Sequence, residues 1–153
     1  MGDLNLDANN GDIFQNSDAA VIVGGDTDIM ASGHICLTGG DNDGDGINDN
    51  SFTGDIQLDA VDGVTLATTG TLDIDSGVVS GSSLRFIADE ITISTDITAD
   101  QLLLEATNGV SLNDAFFVDV SDLLLSGTGN FDLASSAFNT CLLYTSPSPR
   151  DRG

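Results

Sequence analysis

Along most of this chain apolar and polar residues alternate in bursts of three to five, each closed by Gly, Asn, Asp, Ser or Thr. A period of two is that of a strand with one buried face. The pattern predicts strands at Leu4–Ala8, Ala20–Val23, Ile29–Ala31, Ile35–Leu37, Ile56–Leu58, Val64–Leu66, Leu72–Ile74, Leu84–Ile87, Ile91–Ile93, Leu102–Leu104, Val110–Leu112, Phe117–Val120, Leu123–Leu125 and Phe131–Leu133. One phrase returns three times: Leu4-Asn5-Leu6-Asp7-Ala8-Asn9-Asn10-Gly11, Ile56-Gln57-Leu58-Asp59-Ala60-Val61-Asp62-Gly63 and Leu102-Leu103-Leu104-Glu105-Ala106-Thr107-Asn108-Gly109. Each copy ends on a glycine able to supply the positive φ of a tight turn. A strand-and-turn unit that recurs along a chain implies stacking.

Three later phrases start at Leu84, Leu102 and Leu123, 18 and 21 residues apart. About twenty residues carrying three short strands make one turn of a β-solenoid. The predicted fold is therefore all-β, a right-handed parallel β-helix over residues 1–140, with Leu, Ile, Val and Ala stacked in rows that no single turn could bury alone. The alternative is an all-β sandwich of the immunoglobulin or cadherin kind, which also spaces short strands at eight to twelve residues. The brevity of the strands and the returning phrase favour the helix.

Gly54-Asp55-Ile56-Gln57-Leu58-Asp59-Ala60 and Ala106-Thr107-Asn108-Gly109-Val110 resemble the degenerate repeats of filamentous haemagglutinin-type exoproteins, large β-helical surface or secreted proteins of Gram-negative bacteria. The likeness runs through most of residues 2–140. It implies a structural or adhesive stalk segment of such an exoprotein, an adhesin rather than an enzyme. It also implies neighbouring repeats and a host or neighbouring-cell surface as partners, and an extracellular or outer-membrane surface location. Neither that family's secretion domain nor a toxin tip is visible in these residues.

Composition sharpens this picture. With no Trp, one Tyr and seven Phe, the core must be aliphatic. Twenty-five Asp and Glu stand against three Arg and no Lys, a formal net charge of −22. Nucleic acid is excluded as a partner because phosphate binding needs a basic footprint. Anionic membrane surfaces are disfavoured for the same reason, and no run approaches the roughly 18 apolar residues of a spanning helix. The start, Met1-Gly2-Asp3-Leu4, lacks the basic and apolar regions of a signal peptide, so an internal piece of a longer polypeptide is expected.

So many carboxylates must be spread in water or neutralised by cations, and calcium is the candidate cation. Asp41-Asn42-Asp43-Gly44-Asp45-Gly46-Ile47-Asn48-Asp49-Asn50 sets acids at alternate positions with glycine between them. Such a loop can wrap Asp41, Asp43, Asp45, the Ile47 carbonyl and Asp49 around a hard cation. It looks like the acidic loops of EF-hand, dockerin and thrombospondin type 3 repeats, although Phe52 stands where an EF-hand has its bidentate Glu. Its place between Leu37 and Ile56 marks it as an insertion at 40–53. A calcium-binding extracellular module is accordingly the second functional reading.

Other constellations carry less chemistry. His34 and Cys36 share a strand face, yet no second soft pair accompanies them, so His34 is expected at the surface and Cys36 as a small strand residue. Asp73/Asp75 and Asp89/Glu90 could serve as paired carboxylates of a polysaccharide-active enzyme. An enzyme acting on acidic polysaccharide needs a basic cluster, and within residues 1–140 Arg85 stands alone, so these acids are read as solvent-facing. Gly24-Gly25-Asp26-Thr27-Asp28 lacks the register of the calcium-binding nonapeptide repeats.

From Cys141 the character changes. Cys141-Leu142-Leu143-Tyr144-Thr145-Ser146-Pro147-Ser148-Pro149-Arg150-Asp151 holds both prolines and the only tyrosine, and resembles a translated sequencing-library adapter. Residues 141–153 are therefore set apart as an artefactual or disordered tail. Setting Cys141 aside leaves Cys36 without an intrachain disulfide partner.

Overall fold

The computed structural model describes residues 2–40, 48–74, 79–112, 117–133 and 137–145. The chain winds as a parallel β-solenoid. Its first coil contributes β1 (Leu4–Ala8), β2 (Ile13–Phe14) and β3 (Ile22–Val23). The second adds β4 (Thr27–Ala31), β5 (His34–Leu37) and β6 (Ser51–Phe52), and the third β7 (Ile56–Ala60), β8 (Gly63–Ala67) and β9 (Thr71–Ile74). Thereafter the strands run on through the corners as β10 (Val79–Ile93), β11 (Ile97–Leu112) and β12 (Phe117–Gly127), followed by β13 (Asn130–Asp132) and β14 (Ala137–Thr145).

Every strand pairing among the described residues is parallel, which displaces the sandwich alternative, whose sheets are antiparallel. Stacking order follows chain order, β1-β4-β7-β10-β11-β12-β14. On the second face Ile13, Ile35, Val64, Leu84, Leu102, Leu123 and Leu142 stand in one column of paired positions. Beside it runs Leu37, Leu66, Phe86, Leu104 and Leu125, all buried. The third face stacks Leu72, Ile91, Val110 and Phe131. Alternation along each strand thus becomes columns across coils, because parallel in-register pairing sets like positions about 4.8 Å apart. The core lies inside these columns, and Ile29, Leu58, Leu84, Phe86 and Leu123 are completely buried.

The three copies of the returning phrase do not share one corner. Leu4–Gly11 and Ile56–Gly63 both span the first face and its corner, whereas Leu102 pairs with Leu84 and thereby aligns with Val64 on the second face. The third copy is one face out of phase. All faces obey the same rule, a buried alternating strand and then a glycine turn, so an identical phrase fits at more than one corner. The closing glycines do adopt positive φ, at 159° for Gly11, 154° for Gly63 and 135° for Gly109. At Gly109 a side chain would also drive its Cβ into the Asn130 backbone of the next coil.

Coil length is uneven in one place. Leu84 pairs with Leu102, 18 positions on, but Ile35 pairs with Val64, 29 positions on. The excess lies between β5 and β6, where the acidic insertion was expected. Ser51–Phe52 pairs with Ile22–Val23 and so belongs to the regular coil rather than to the insertion. At the far end the backbone of Cys141–Thr145 continues β14 beside β12, because Leu142 and Tyr144 fall in register with Leu123 and Leu125. The pairing therefore passes Thr140, while residues 146–153 lie outside the described residues.

Candidate functional site

The corner between β5 and β6 gathers the densest polar contacts. Asn50, completely buried, sits where the second coil turns into its third face. Its Nδ2 donates to the carbonyls of Ala67 at 3.1 Å and Leu37 at 3.3 Å, and to Gln15 Oε1 at 2.8 Å. Its Oδ1 accepts from the Val21 backbone N–H at 2.8 Å. The Asn50 carbonyl in turn accepts from the Thr68 hydroxyl at 2.7 Å and the Thr69 N–H at 3.0 Å. One side chain thereby ties the first, second and third coils together, and each buried polar group around it finds a partner.

This network closes the neck of the acidic insertion. Asp49 N–H donates to the Gly40 carbonyl at 2.7 Å, and Asn48 Nδ2 donates to the Thr38 carbonyl at 3.1 Å and to that of Gly39. Gly40 takes φ 99°, and a Cβ there would meet Asn50 Oδ1 at 2.5 Å. Glycine is therefore required both for the turn and for the approach to Asn50. Of the calcium-ligand set, Asp41, Asp43, Asp45 and Ile47 lie outside the described residues. Asp49 is half-buried at the neck.

A second arrangement escaped the sequence reading. Asp26 N–H donates to Asp3 Oδ1 at 3.0 Å, and Asp55 N–H donates to Asp26 Oδ1 at 3.2 Å. Each aspartate caps the backbone of its counterpart one coil on, so the stacked carboxylates are held by amide dipoles despite their like charge. The available signal was the recurrence of Gly2-Asp3, Gly25-Asp26 and Gly54-Asp55 immediately before β1, β4 and β7. Asp12 behaves alike, accepting from His34 N–H at 2.7 Å.

The weaker candidates resolve as surface chemistry. His34 is exposed, with Nδ1 at 3.6 Å from Asp12 and 4.0 Å from Asp62. Cys36 is a free, half-buried thiol 3.6 Å from the Thr38 hydroxyl. Asp89 accepts from Gly70 N–H at 3.0 Å and from the Thr107 hydroxyl at 3.2 Å, which makes its carboxylate a corner cap. Glu90 and Asp73 are exposed, and Asp75 lies outside the described residues. Arg85 pairs with Glu105 at 2.6 Å on the outer face. Among the described residues no three His, Cys, Asp or Glu side chains come together to hold a metal ion, and no helix is long and apolar enough to cross a membrane.

No family model, curated protein or solved structure matches this chain.

Proposed function

We propose that this chain is a structural and adhesive stalk segment of a large secreted or surface-exposed bacterial exoprotein of the filamentous haemagglutinin type, acting without catalysis. The observation that carries the reading is the identity of chain order and stacking order, with one aliphatic column running from Ile13 to Leu142. At the strand spacing this column spans about 29 Å, a rod segment that presents its corners outward. Solenoids of this kind extend by adding coils against a neighbour, which is how a stalk gains reach. The net charge of −22 suits a surface held apart from anionic partners outside the cell.

The test is adhesion. Beads coated with the full chain, presented to epithelial and bacterial cells in millimolar calcium, should be retained above beads carrying the heat-denatured chain. Equal retention of both coats would remove the adhesive reading.

A second reading, calcium binding by the insertion, is favoured by the closed neck, since Gly40 and Asp49 hold the ends of the acidic string together. Calcium would enter through Asp41, Asp43, Asp45, the Ile47 carbonyl and Asp49. Titration calorimetry should show calcium heat for the full chain and its loss in Asp43→Ala/Asp45→Ala. An absence of heat in the parent chain would end this reading.

A further inference from the structure

The outer side of the first face carries a groove. Among the described residues four large apolar side chains are exposed, and two of them, Met30 at 39% and Val61 at 65%, line it together. It has a volume of about 220 Å³ and crosses the first three coils at the corner that follows β1, β4 and β7. Pairing puts Asp7, Met30 and Asp59 in one outward column, one residue per coil, so an apolar side chain stands between two carboxylates. Asn9 and Ser32 complete the rim with oxygen acceptors. These exposed side chains face away from the interior of the rod, so a further coil at either end would lengthen this flank without covering it.

The spacing selects the ligand. At about 4.8 Å per coil, Asp7 and Asp59 stand about 10 Å apart. A calcium ion needs about six to eight oxygens at about 2.3–2.6 Å, so the two carboxylates cannot share one. A lone ammonium or guanidinium reaches one carboxylate only. A second copy of the chain is repelled by its own charge of −22. The order carboxylate, apolar side chain, carboxylate has as its complement an ammonium, a methylene chain and a second ammonium.

We propose that this groove binds a linear aliphatic diamine along the rod, one ammonium at Asp7 and the other at Asp59, with the methylene chain lying over Met30 and against Val61. Each ammonium donates to its carboxylate at about 2.8 Å, and its remaining hydrogens reach Asn9, Ser32 or water. The unbranched Met30 side chain adapts its thioether to the methylenes. Contact between the two apolar surfaces removes both from water. Exposed ion pairs are individually weak, so the dissociation constant is on the order of millimolar, and selectivity rests on both ends being engaged at once.

Methionine-methyl NMR reads this directly, because the chain has two methionines and one of them lies in the groove. Titrating the full chain with cadaverine at neutral pH should shift the Met30 methyl signal saturably and leave that of Met1 in place. Pentylamine, which has a single charged end, should bind about fivefold more weakly. Asp7→Asn and Asp59→Asn should each weaken cadaverine about fivefold, bringing it level with pentylamine. Asp73→Asn removes one exposed charge from the third face and should leave the titration unchanged. Circular dichroism establishes that each variant keeps the parent fold. Should Asp59→Asn disturb it, Asp7→Asn and pentylamine decide. An unshifted Met30 methyl, a Met1 signal that moves in parallel, pentylamine equal to cadaverine, or an Asp73→Asn effect as large as that of Asp7→Asn would overturn the proposal.

Discussion

Replacing Asn50 by alanine should destabilise the chain more than any surface change, and the structure sets the size of the loss. The side chain is completely buried; its Nδ2 donates to the carbonyls of Ala67, Leu37 and Gly39 and to Gln15 Oε1, and its Oδ1 accepts from the Val21 N–H and from Gln15 Nε2. Alanine leaves the Val21 N–H and the carbonyls of Ala67, Leu37 and Gly39 without this partner. Each stranded buried group costs about 1–3 kcal/mol, and the carbonyls retain some satisfaction through their second lone pairs. The net loss is about 3–5 kcal/mol, a large share of the 5–15 kcal/mol typical of a folded domain. Thermal melting followed by circular dichroism should fall by about 10 °C or more. Gln15→Ala removes only the half-buried side of the network and should cost about 1 kcal/mol. Asn50→Asp preserves volume but replaces the donating amide by an oxygen that faces the carbonyls of Ala67, Leu37 and Gly39, so it should cost more than alanine. If Asn50→Ala melts with the parent chain, or Asn50→Asp is the milder change, the inter-coil stitch is not what holds this corner.

Thr27 lies 2% exposed in the column between Leu4 and Ile56, with no partner for its hydroxyl, so Thr27→Val should raise stability by about 1 kcal/mol in urea unfolding. Gly109→Ala should cost several times more than Gly70→Ala in the same assay. Both glycines have positive φ, at 135° and 75°, but only at Gly109 does the added methyl strike a neighbouring coil. Arg85→Gln should shift stability by less than about 1 kcal/mol, since its pair with Glu105 is partly open to solvent. Pulled by its two ends, the chain should peel coil by coil, with length increments of about 70 Å for the roughly twenty residues of each turn. A single increment releasing the whole chain at once would show that coils do not unfold as separate units.

The architecture was legible because β-solenoid stacking is written in residue types at a period of two. Val64-Thr65-Leu66 and Leu102-Leu103-Leu104 announce their buried positions without any neighbour, and both lie in the columns the alternation implies. Which face a phrase occupies was not legible. The third copy of the returning phrase carries the same letters as the first two, and only the coil length accumulated before it decides the corner at which it falls. Asn50 was hidden for a different reason. Within an acidic string an asparagine reads as another solvated or ligating residue, and its burial depends on Val21, Leu37 and Ala67, which are distant in sequence. The Gly-Asp recurrence was visible, yet its meaning required knowing that successive coils stack in register, so that one carboxylate reaches the next amide.

The placement of the insertion follows from this division between columns and corners. A column position interrupted by extra residues would break the register of every coil above it, because pairing propagates by nearest neighbours. A corner carries no such register, and lengthening a loop between fixed ends costs only slowly more entropy as it grows. What a corner insertion does require is that the chain leave and rejoin the coil at the same point. Asp49 bonded to Gly40 provides the return, Asn48 fastens it to Thr38 and Gly39, and Asn50 locks the rejoined strand to the coils on either side. The acidic string therefore hangs from a site that the rod already holds rigid, and its chemistry can vary while the columns from Leu37 to Leu66 and from Val23 to Phe52 stay as they are. On this view the rod supplies position, and corner insertions supply whatever is displayed.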